Sequence, residues 1–469
     1  MRTRPEHDAL GVIEVPAERL YGAGTARAAA NFPFASPMPW PVIAAMARIK
    51  AAAARVNGRL GLLPSEVAAS IARAADEIAG GALRDEFPLS VFQTGSGTSS
   101  NMNLNEVIAN RCAQAAGQPL GGKRPAHPND HVNLCQSSND VFPSATQIAA
   151  LIAIRDDLDP ALLALAAALR RQAAANADVV TVARTHLQDA TPIRYDQVFD
   201  AWAAQIDGAR AALDDAARAL CDLPLGGTAV GTGTARHPAF APLVIADLGD
   251  ALALPLREAR DHVAAQGARD AVVQASAALR GIAIALSKVA NDLRWLASGP
   301  RAGLGEVRLP AVQPGSSIMP GKVNPVICEA AIQACIQVVG NDAAIALAGL
   351  GGLGSLLQLN VAMPVMARNL VEQIDLMTVA ARILAEKAVD GLVVDRARCA
   401  DLVAKDLALC TALAAVIGYD RASELSKLAL AEDRTIRDVA LAAGVLPAEE
   451  LDRLLDPRRM TEPGLGGGD

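Results

Sequence analysis

Aromatic residues are scarce in this sequence. Phe, Trp and Tyr make up 3% of the 469 residues, whereas hydrophobic residues as a whole make up 52%. Hydrophobicity this high excludes intrinsic disorder, which requires low hydrophobicity and high net charge. The core must be built mainly from Ala, Leu, Val and Ile, and small aliphatic residues in such numbers favour close-packed helices over aromatic-rich β-sandwiches. We therefore predict an all-α (mainly helical) fold.

An excess of positive charge is also missing. The formal net charge is −7, so the composition gives no reason to expect a nucleic acid or an acidic membrane as partner. The first residues, MRTRPEHDALG, lack the apolar segment of a secretory signal. We expect a cytoplasmic protein that binds neither nucleic acid nor a membrane.

The cysteine spacing excludes several kinds of site. The sequence has seven cysteines, an odd number, and they are widely separated and never form a CxxC motif. A disulfide scaffold, a structural zinc site and a CxxC-type iron–sulfur site all need paired or closely spaced cysteines. We expect reduced and mostly buried thiols, with no metal and no other cofactor.

Two segments repeat apolar residues at alternating spacings of three and four. The first runs from Phe199 to Leu220 and the second from Val272 to Leu296. This spacing keeps one helix face against a partner, as in bundles with small crossing angles. Many flanking positions are Ala, so these helices can pack on more than one side, which is easiest when several chains contribute helices. The pattern predicts a central helical bundle and a homo-oligomer.

Changes in composition along the chain suggest three domains. Residues before Ser137 are irregular, with clustered prolines and short helices near residues 41–57 and 64–79. Residues after Val394 form shorter helices again. We place an N-terminal domain at residues 1–136, the central helical bundle at 137–393 and a small C-terminal helical domain at 394–469.

Four segments are polar and rich in glycine, unlike the aliphatic sequence around them. Ser, Thr and Asn beside Gly can present side-chain and backbone donors to carboxylate oxygens, and one Lys adds a point charge. This inventory suits a small dianion better than a nucleotide, although a helix cap or a turn explains any one of the first three segments equally well. The segments are TGSGTSSNMN (94–103), HPNDHVN with SSND (127–140), RTHLQD (184–189) and GSSIMPGKVNP (315–325).

The fourth segment fails two common motifs. A phosphate-binding P-loop requires GxxxxGK[ST], but Val323 stands where that motif needs Ser or Thr. A nucleophile elbow requires GxSxG, which GSSIM does not provide. Nucleotide hydrolysis and acyl-serine hydrolysis are therefore poor interpretations.

Taken together and in this order, the segments resemble the fumarase/aspartase superfamily. GSSIMPGKVNP is similar to the superfamily's signature, and TGSGTSSNMNLNEVIANR, QSSND, RTHLQDATP, GGTAVGTG and SGPRAGLGE resemble its class II fumarate hydratases. The resemblance covers nearly the whole chain. It implies a three-domain α-helical fold, a 20-helix core in a homotetramer, and active sites assembled from three subunits.

The resemblance also implies a reaction and a role for the polar residues. The reaction is the reversible anti addition of water to fumarate, which gives L-malate through an aci-carboxylate. The implied catalytic residues are Ser316, the base on a mobile loop, His186, which acts through a water, and Glu329, which orients His186. The implied substrate-binding residues are Ser96, Thr98, Ser137, Ser138, Asn139, Thr185, Ser317, Lys322 and Asn324. A second dicarboxylate site is implied at His127, Asn129 and Asp130.

Two alternatives remain open at this point. LPAVQPGSSIMPGKVNPV and LLQLNVAMPV resemble aspartate ammonia-lyases, which convert L-aspartate to fumarate and ammonia, as much as they resemble fumarases. TGSGTSSNMN and GGTAVGTG resemble those of fumarases, and the resemblance implies that they line the leaving-group side, so we favour malate. A non-catalytic lens protein of the same superfamily is disfavoured because the serine, the imidazole and the loop lysine are all present. The departures from the family's pattern, Cys135, Ala183 and Tyr195-Asp196, affect packing rather than the reacting groups.

We predict catalysis without a metal ion. The class II resemblance extends along the chain, and no cysteine spacing fits the iron–sulfur cluster of class I fumarases. Prolonged incubation with EDTA should leave the rate of malate conversion unchanged when fumarate is followed by its ultraviolet absorbance. A loss of rate that added metal restores would contradict this prediction.

Overall fold

A computed structural model of the protein describes residues 2–464, and α-helices dominate it, which confirms the predicted all-α class. The two helices expected near the N-terminus are present as Trp40–Arg59 and Ser65–Ala79. Met1 and residues 465–469, at the ends of the first and third predicted domains, lie outside the described residues. In chain order, the α-helices are Ala23–Asn31, Trp40–Arg59, Ser65–Ala79, Thr98–Ala115, Ser138–Ala153, Asp159–Ala175, Tyr195–Leu220, Phe240–Leu252, His262–Gly267, Asp270–Leu296, Val326–Gly349, Met363–Leu384, Arg396–Lys405, Cys410–Ile417, Tyr419–Glu432, Ile436–Ala442 and Ala448–Leu454.

Strands are few, and within residues 2–464 they pair only as two-stranded sheets. Two are antiparallel hairpins, Thr3–Asp8 with Gly11–Pro16 and Val180–Thr185 with Gln188–Arg194. The second hairpin carries the polar segment RTHLQD, whose strand structure the sequence reasoning did not predict. The shorter pairs are Asp222–Leu223 with Arg257–Glu258, Val307–Arg308 with Val393–Val394, and Ser355–Leu356 with Leu359–Asn360.

The predicted heptad segments are helical, and their apolar positions are buried except for Ala209 and Leu296, which are half-buried. Helix Tyr195–Leu220 contains the first segment and helix Asp270–Leu296 contains the second. The apolar heptad residues from Val272 to Leu293 are at most 1% exposed. The spacing of three and four therefore identified both the helices and the faces that they bury.

The described chain divides into two compact units. The predicted domain boundaries after residues 136 and 393 remain a prediction beside this division. The first unit comprises Met1–Pro160, Arg210–Ala283 and Cys335–Thr378, and the second comprises Ala161–Ala209, Ile284–Ala334 and Val379–Asp469.

Helix Trp40–Arg59 lies at the centre of the first unit. Helices Ser65–Ala79, Ser138–Ala153 and Phe240–Leu252 pack against it. Most of its buried residues are Ala, Val, Ile and Met, and small side chains allow neighbouring helices to approach closely. The resulting core is a firm base for the polar helix ends described below.

The C-terminal helices of the second unit have a small core of their own. Leu413, Leu425, Ile436, Val439 and Leu451 are buried together there. Each of these helices is short, between 7 and 14 residues, and none could be stable alone. Their mutual packing therefore stabilises this part of the chain.

The cysteine side chains serve as core residues. All seven thiols are free, and six of them are buried, as the sequence predicted. Burial raises the pKa of Cys328 to about 11 and that of Cys335 to about 12. These two thiols therefore stay protonated and unreactive at neutral pH.

Two helices are unusually apolar. Asp270–Leu296 and Val326–Gly349 are long and apolar enough, by length and composition, to cross a membrane. In the single chain, 50% and 33% of their most apolar windows are buried, respectively. Buried helices of globular proteins pass the same test, so this feature alone does not indicate a membrane. Helix Val326–Gly349 nonetheless exposes Ile336, Val339 and Leu347 in the single chain.

Candidate active site

Two helix N-termini meet in the first unit. Thr98 begins the helix that ends at Ala115, and Ser138 begins the helix that ends at Ala153, with Ser137 as its N-cap. The hydroxyl oxygens of Thr98 and Ser138 lie 2.6 Å apart. A helix N-terminus carries partial positive charge and unpaired N–H groups. Two such ends side by side make a favourable place for a carboxylate.

Four of the predicted binding residues form a continuous row of polar groups. Ser96 Oγ lies 2.7 Å from Thr98 Oγ1, which contacts Ser138 Oγ, and the Ser138 hydroxyl donates to Asn139 Oδ1 at 3.4 Å. Gly97 adopts a φ of +74° within this row, a conformation that glycine accepts at little cost. The structure therefore brings these four side chains together without help from the second unit.

Asp140 holds two polar segments together, a role that the sequence reasoning missed. Its buried carboxylate accepts the backbone N–H of Ser137 at 2.9 Å and those of Gly226 and Thr228 at 3.0 Å each. The neighbouring asparagine side chain donates to a carbonyl of the same GGTAVGTG loop at 2.8 Å. Burial raises the pKa of Asp140, and the three N–H groups oppose that shift. The available signal was the Ser-x-x-Asp capping box in SSND.

Lys50 is a second functional candidate that the sequence reasoning missed. Its side chain is fully buried, and Nζ donates to Asn133 Oδ1 at 2.8 Å. Asn101 and Asn105 donate to the same oxygen at 3.2 Å each. Burial lowers the pKa of Lys50 to about 7, against the opposing effect of the Asp140 charge. Lys50 lies in the Ala-rich part of helix Trp40–Arg59 between Arg48 and Arg55, so no sequence signal singled it out.

His186 and Leu187 form the two-residue loop between strands Val180–Thr185 and Gln188–Arg194. Their φ angles are +58° and +60°, and positive φ at both loop residues is the mark of a type I′ turn. Side chains other than Gly, Asn and Asp adopt this conformation at a cost, and such strain clusters at functional sites. His186 and its neighbour Thr185 are exposed in the single chain.

A buried carboxylate lies at the base of this hairpin. Glu306 is fully buried and forms an ion pair with the guanidinium of Arg184. It also accepts the hydroxyl of Thr181 at 2.5 Å and the hydroxyl of Tyr195 at 3.2 Å. We call these four residues the Glu306 cluster. Glu306 belongs to the segment SGPRAGLGE, but nothing in its spacing predicted these contacts.

Asp406 is a second carboxylate near the hairpin. Its Oδ1 accepts the backbone N–H of Ala408 at 2.8 Å, whereas its buried Oδ2 has no hydrogen-bond partner among residues 2–464. Burial raises the pKa of Asp406 to about 6; the charge of Asp189 adds to this rise and that of Arg184 opposes it. Asp406 is therefore a carboxylate that folding disfavours in its charged form.

Residues 315–325, which we call the Ser316 loop, close on themselves. The backbone N–H of Gly315 donates to the carbonyl of Lys322 at 2.8 Å, and Asn324 Nδ2 donates to the carbonyl of Gly315 at 2.7 Å. A Cβ on Gly315 would lie 2.5 Å from that Lys322 carbonyl oxygen. Gly321 turns the loop with a φ of +80°. Both glycines are therefore needed for the loop's geometry.

The hydroxyl of Ser316 receives two backbone hydrogen bonds. Ser316 Oγ accepts the N–H of Ile318 at 3.2 Å and that of Met319 at 3.0 Å. Two N–H groups directed at one oxygen favour negative charge on that oxygen. A cavity of about 440 Å³ lies against Ser316 and Lys322, so this oxygen borders a space that a small molecule can enter.

The single chain leaves other predicted site residues apart. His186 and Glu329 are both exposed, and no hydrogen bond or ion pair joins them within the described residues. Ser317 and Lys322 are exposed as well, and Asn324 is half-buried. These side chains could bind or react with a substrate, but in the single chain they are largely surrounded by solvent.

The three residues of the predicted second dicarboxylate site lie together in one turn. His127 Nδ1 accepts the backbone N–H of Asn129 at 3.2 Å and that of Asp130 at 3.1 Å. An acceptor nitrogen carries no proton, in agreement with the burial that lowers the pKa of His127. A cavity of about 320 Å³ adjoins His127, Asn129 and Lys123. A neutral imidazole, an amide and an ammonium can all donate to an anion there.

Two family descriptions match the sequence. The one described as Lyase matches residues 11–340, and the one described as Fumarase C C-terminus matches residues 409–462. The first match alone spans more than half of the chain. Every segment of the candidate site lies within it.

Individual proteins are similar to this chain over nearly its full length. Fumarate hydratase class II 1 of Pseudomonas aeruginosa is 49% identical, with 99% of this chain and 100% of that protein covered. Fumarate hydratase class II 2 of Bradyrhizobium diazoefficiens is 48% identical, with 98% and 97% covered. The crystal structure of class II fumarase from Schistosoma mansoni has a TM-score of 0.94 and 36% identity, with 98% and 99% covered.

Asp406→Asn should stabilise the protein above pH 6 but not near pH 4. An unfolded Asp titrates near 3.9, and the folded pKa is about 6. The folded state therefore binds more protons between these values, and stability falls as the pH rises through that window. Asn keeps an acceptor for Ala408 and removes the charge. We expect a gain of roughly 1–2 kcal/mol in urea unfolding at pH 8, and an equal gain at pH 4 would exclude charge as its cause.

Proposed function

Because the chain belongs to the class II fumarate hydratases, which are hydro-lyases, we propose that it interconverts fumarate and L-malate with Ser316 as the base. The observation that carries the choice of base is the pair of backbone N–H groups at Ser316 Oγ. The relatives support the reaction, and this geometry supports the residue.

The difficult step in malate dehydration is removal of a proton from carbon. The proton lies on the methylene carbon beside a carboxylate that is already negative, so its removal gives a doubly charged aci-carboxylate. A free serine is too weakly acidic to act as a base. The N–H groups of Ile318 and Met319 stabilise negative charge on Ser316 Oγ. We propose that the ammonium of Lys322, which lines the same cavity, adds to this effect.

Loss of the hydroxyl group needs an acid on the other side of the substrate. We propose that His186 supplies the proton through a bound water, so that the C–O bond breaks and the hydroxyl leaves as water. Thr185 lies beside it in the hairpin. Glu329, near the start of helix Val326–Gly349, orients the imidazole from a neighbouring chain, because the two side chains are not joined within one chain.

The two carboxylates of the substrate need separate sets of donors. The paired helix N-termini at Thr98 and Ser138 suit one of them, since N–H groups and hydroxyls converge there. Lys322 and Asn324 suit the other, with Ser317 beside the base. Dipoles and one ammonium together offset the charge of the aci-carboxylate.

We also propose that the chain forms a homotetramer with sites shared by three subunits. Helix Val326–Gly349 has a high mean hydropathy, and its residues Ile336 and Leu347 are 67% and 56% exposed in the single chain. Large apolar side chains exposed together on one helix mark a surface that another protein covers. Neighbouring subunits would cover it and would bring His186 and Glu329 into one site.

Three further predictions accompany this function. The turn that carries His127, Asn129 and Asp130 is proposed as a second, non-catalytic dicarboxylate site, with His127 and Asn129 lining the cavity beside it. The reaction needs no cofactor, because its electrons stay within the substrate and water. A cytoplasmic location stays a prediction from the sequence.

Ser316→Ala tests the proposed base. We expect turnover of L-malate to fall about a hundred- to ten-thousandfold, as loss of a general base does. The melting temperature should stay close to that of the wild type, because the hydroxyl makes only loop contacts. The ultraviolet absorbance of fumarate measures the rate. Ser287→Ala is the matched control, since that exposed hydroxyl bonds only to Ile284 of its own helix. A near-normal rate in Ser316→Ala would mean that another group takes the proton.

The same assay with L-aspartate decides between the two candidate reactions. Fumarate formed from malate alone supports the hydratase. Fumarate formed from aspartate alone would overturn the proposed reaction in favour of an ammonia-lyase.

Ile336→Lys tests the proposed assembly. A buried lysine at a helix–helix interface is costly, so we expect sedimentation velocity to show a tetramer for the wild type and smaller species for the variant. Leu430→Lys is the control because Leu430 is similarly exposed, at 70%, on a small C-terminal helix. A wild-type protein that sediments as a monomer would contradict the tetramer and the shared sites together.

A further inference from the structure

The Glu306 cluster lies where the hairpin's two strands leave the rest of the second unit. Its carboxylate receives the Thr181 hydroxyl and the Arg184 guanidinium from the first strand, and the Tyr195 hydroxyl from the residue after the second strand. The backbone of Glu306 is fixed as well, because its N–H donates to Leu296 at 2.9 Å. Both ends of the hairpin are therefore held by the carboxylate of Glu306, whose own backbone is fixed.

The Glu306 cluster costs free energy of folding unless all four of its side chains are present. Glu306 is 0% exposed, and the Arg184 side chain is 12% exposed. Desolvating a carboxylate and a guanidinium costs several kcal/mol each before they attract one another. A hairpin that only had to pack could use apolar residues at these positions. The cluster fixes direction, since an ion pair and two hydroxyl bonds allow only one orientation of the strands.

The tip of the hairpin needs such an anchor. His186 lies two residues beyond Arg184, in a turn whose loop residues both have positive φ. A histidine and a leucine hold this backbone only if the flanking strands impose it. The strand ladder is itself irregular between Val182 and Arg184, so the backbone pairing alone leaves the turn under-determined.

We propose that Glu306 is a positioning residue for His186 and that the Tyr195 hydroxyl contributes to the same positioning. This inference rests on the proposed function for its catalytic consequence. The Tyr195 hydroxyl is the third donor to the carboxylate, at 3.2 Å. Burial and the neighbouring Glu306 charge raise the pKa of Tyr195, which keeps its hydroxyl protonated and able to donate.

The experiment compares Glu306→Gln and Tyr195→Phe with Asp342→Asn. Asp342 is a matched control because it is a buried carboxylate that also accepts one hydroxyl, from Ser276 at 2.7 Å, and one guanidinium, from Arg280 at 2.6 Å. We expect Glu306→Gln to lower kcat for malate about 10- to 100-fold, as a small misplacement of a reacting group does, with KM changed far less. Asp342→Asn should lose a similar amount of thermal stability and keep kcat within a few-fold.

A His186→Asn background separates positioning from general damage. If Glu306 acts through His186, Glu306→Gln should lower kcat no further in that background. Equal losses of kcat with and without His186 would overturn the proposal. Tyr195→Phe leaves the ion pair intact and should lower kcat a few-fold. It therefore tests the positioning role of the Glu306 cluster even if Glu306→Gln does not fold.

Hydrogen exchange gives a readout that does not depend on activity. Glu306→Gln should speed amide exchange in residues 180–194 while Asp342→Asn leaves that segment unchanged. Unchanged exchange in the hairpin of Glu306→Gln would contradict the positioning role. A wild-type enzyme without malate activity would overturn the proposed function instead, and the exchange result would still decide whether Glu306 fixes the hairpin.

Discussion

A carboxylate removed from water must be satisfied by donors, and this requirement shapes polar segments in each of the two units. Asp140 draws three backbone N–H groups to itself and so fixes the Ser137 turn against the GGTAVGTG loop. Glu306 draws a guanidinium and two hydroxyls and so fixes the His186 hairpin. In each case a buried carboxylate fixes the backbone of residues that are proposed to bind the substrate or to react with it. The polar segments keep their shape because an unsatisfied buried charge would cost more than the conformational freedom that they lose.

The proposed reaction requires strong stabilisation of a doubly negative aci-carboxylate, although the protein itself has a net charge of −7. The donors proposed to meet this demand are local. The helix N-termini at Thr98 and Ser138 and the backbone N–H groups at Ser316 would act at the distance of a hydrogen bond, where the net charge of the protein hardly matters. Fixed dipoles also need no rearrangement when the aci-carboxylate forms. This is why hydroxyls, amides and glycines outnumber cations in the four polar segments.

The parts that could be predicted from sequence are those with local rules. Heptad spacing identified long helices and their buried faces, and the order of the polar motifs identified the family. The hairpin at His186 was missed, although Val179 to Val182 is a β-favouring run, because its loop residues are not the Asn-Gly or Gly that signal a type I′ turn. Lys50 and Glu306 were missed for a different reason. Lys50 contacts Asn133, 83 residues away along the chain, and Glu306 contacts Arg184, 122 residues away. The spacing of residues in a sequence cannot predict contacts at such separations.

The exposure of the reacting groups in one chain completes the physical picture. Electrostatic stabilisation of a developing dianion is strong only where water is excluded, yet His186, Lys322 and Glu329 are all exposed in the single chain. The same chain exposes apolar residues on its longest helices. In the proposed tetramer, other subunits would cover those helices and also exclude water from the reacting groups. The hydrophobic effect would then drive assembly and supply the low dielectric that the chemistry needs, and a dissociated chain would keep its folded segments but lose most of its rate.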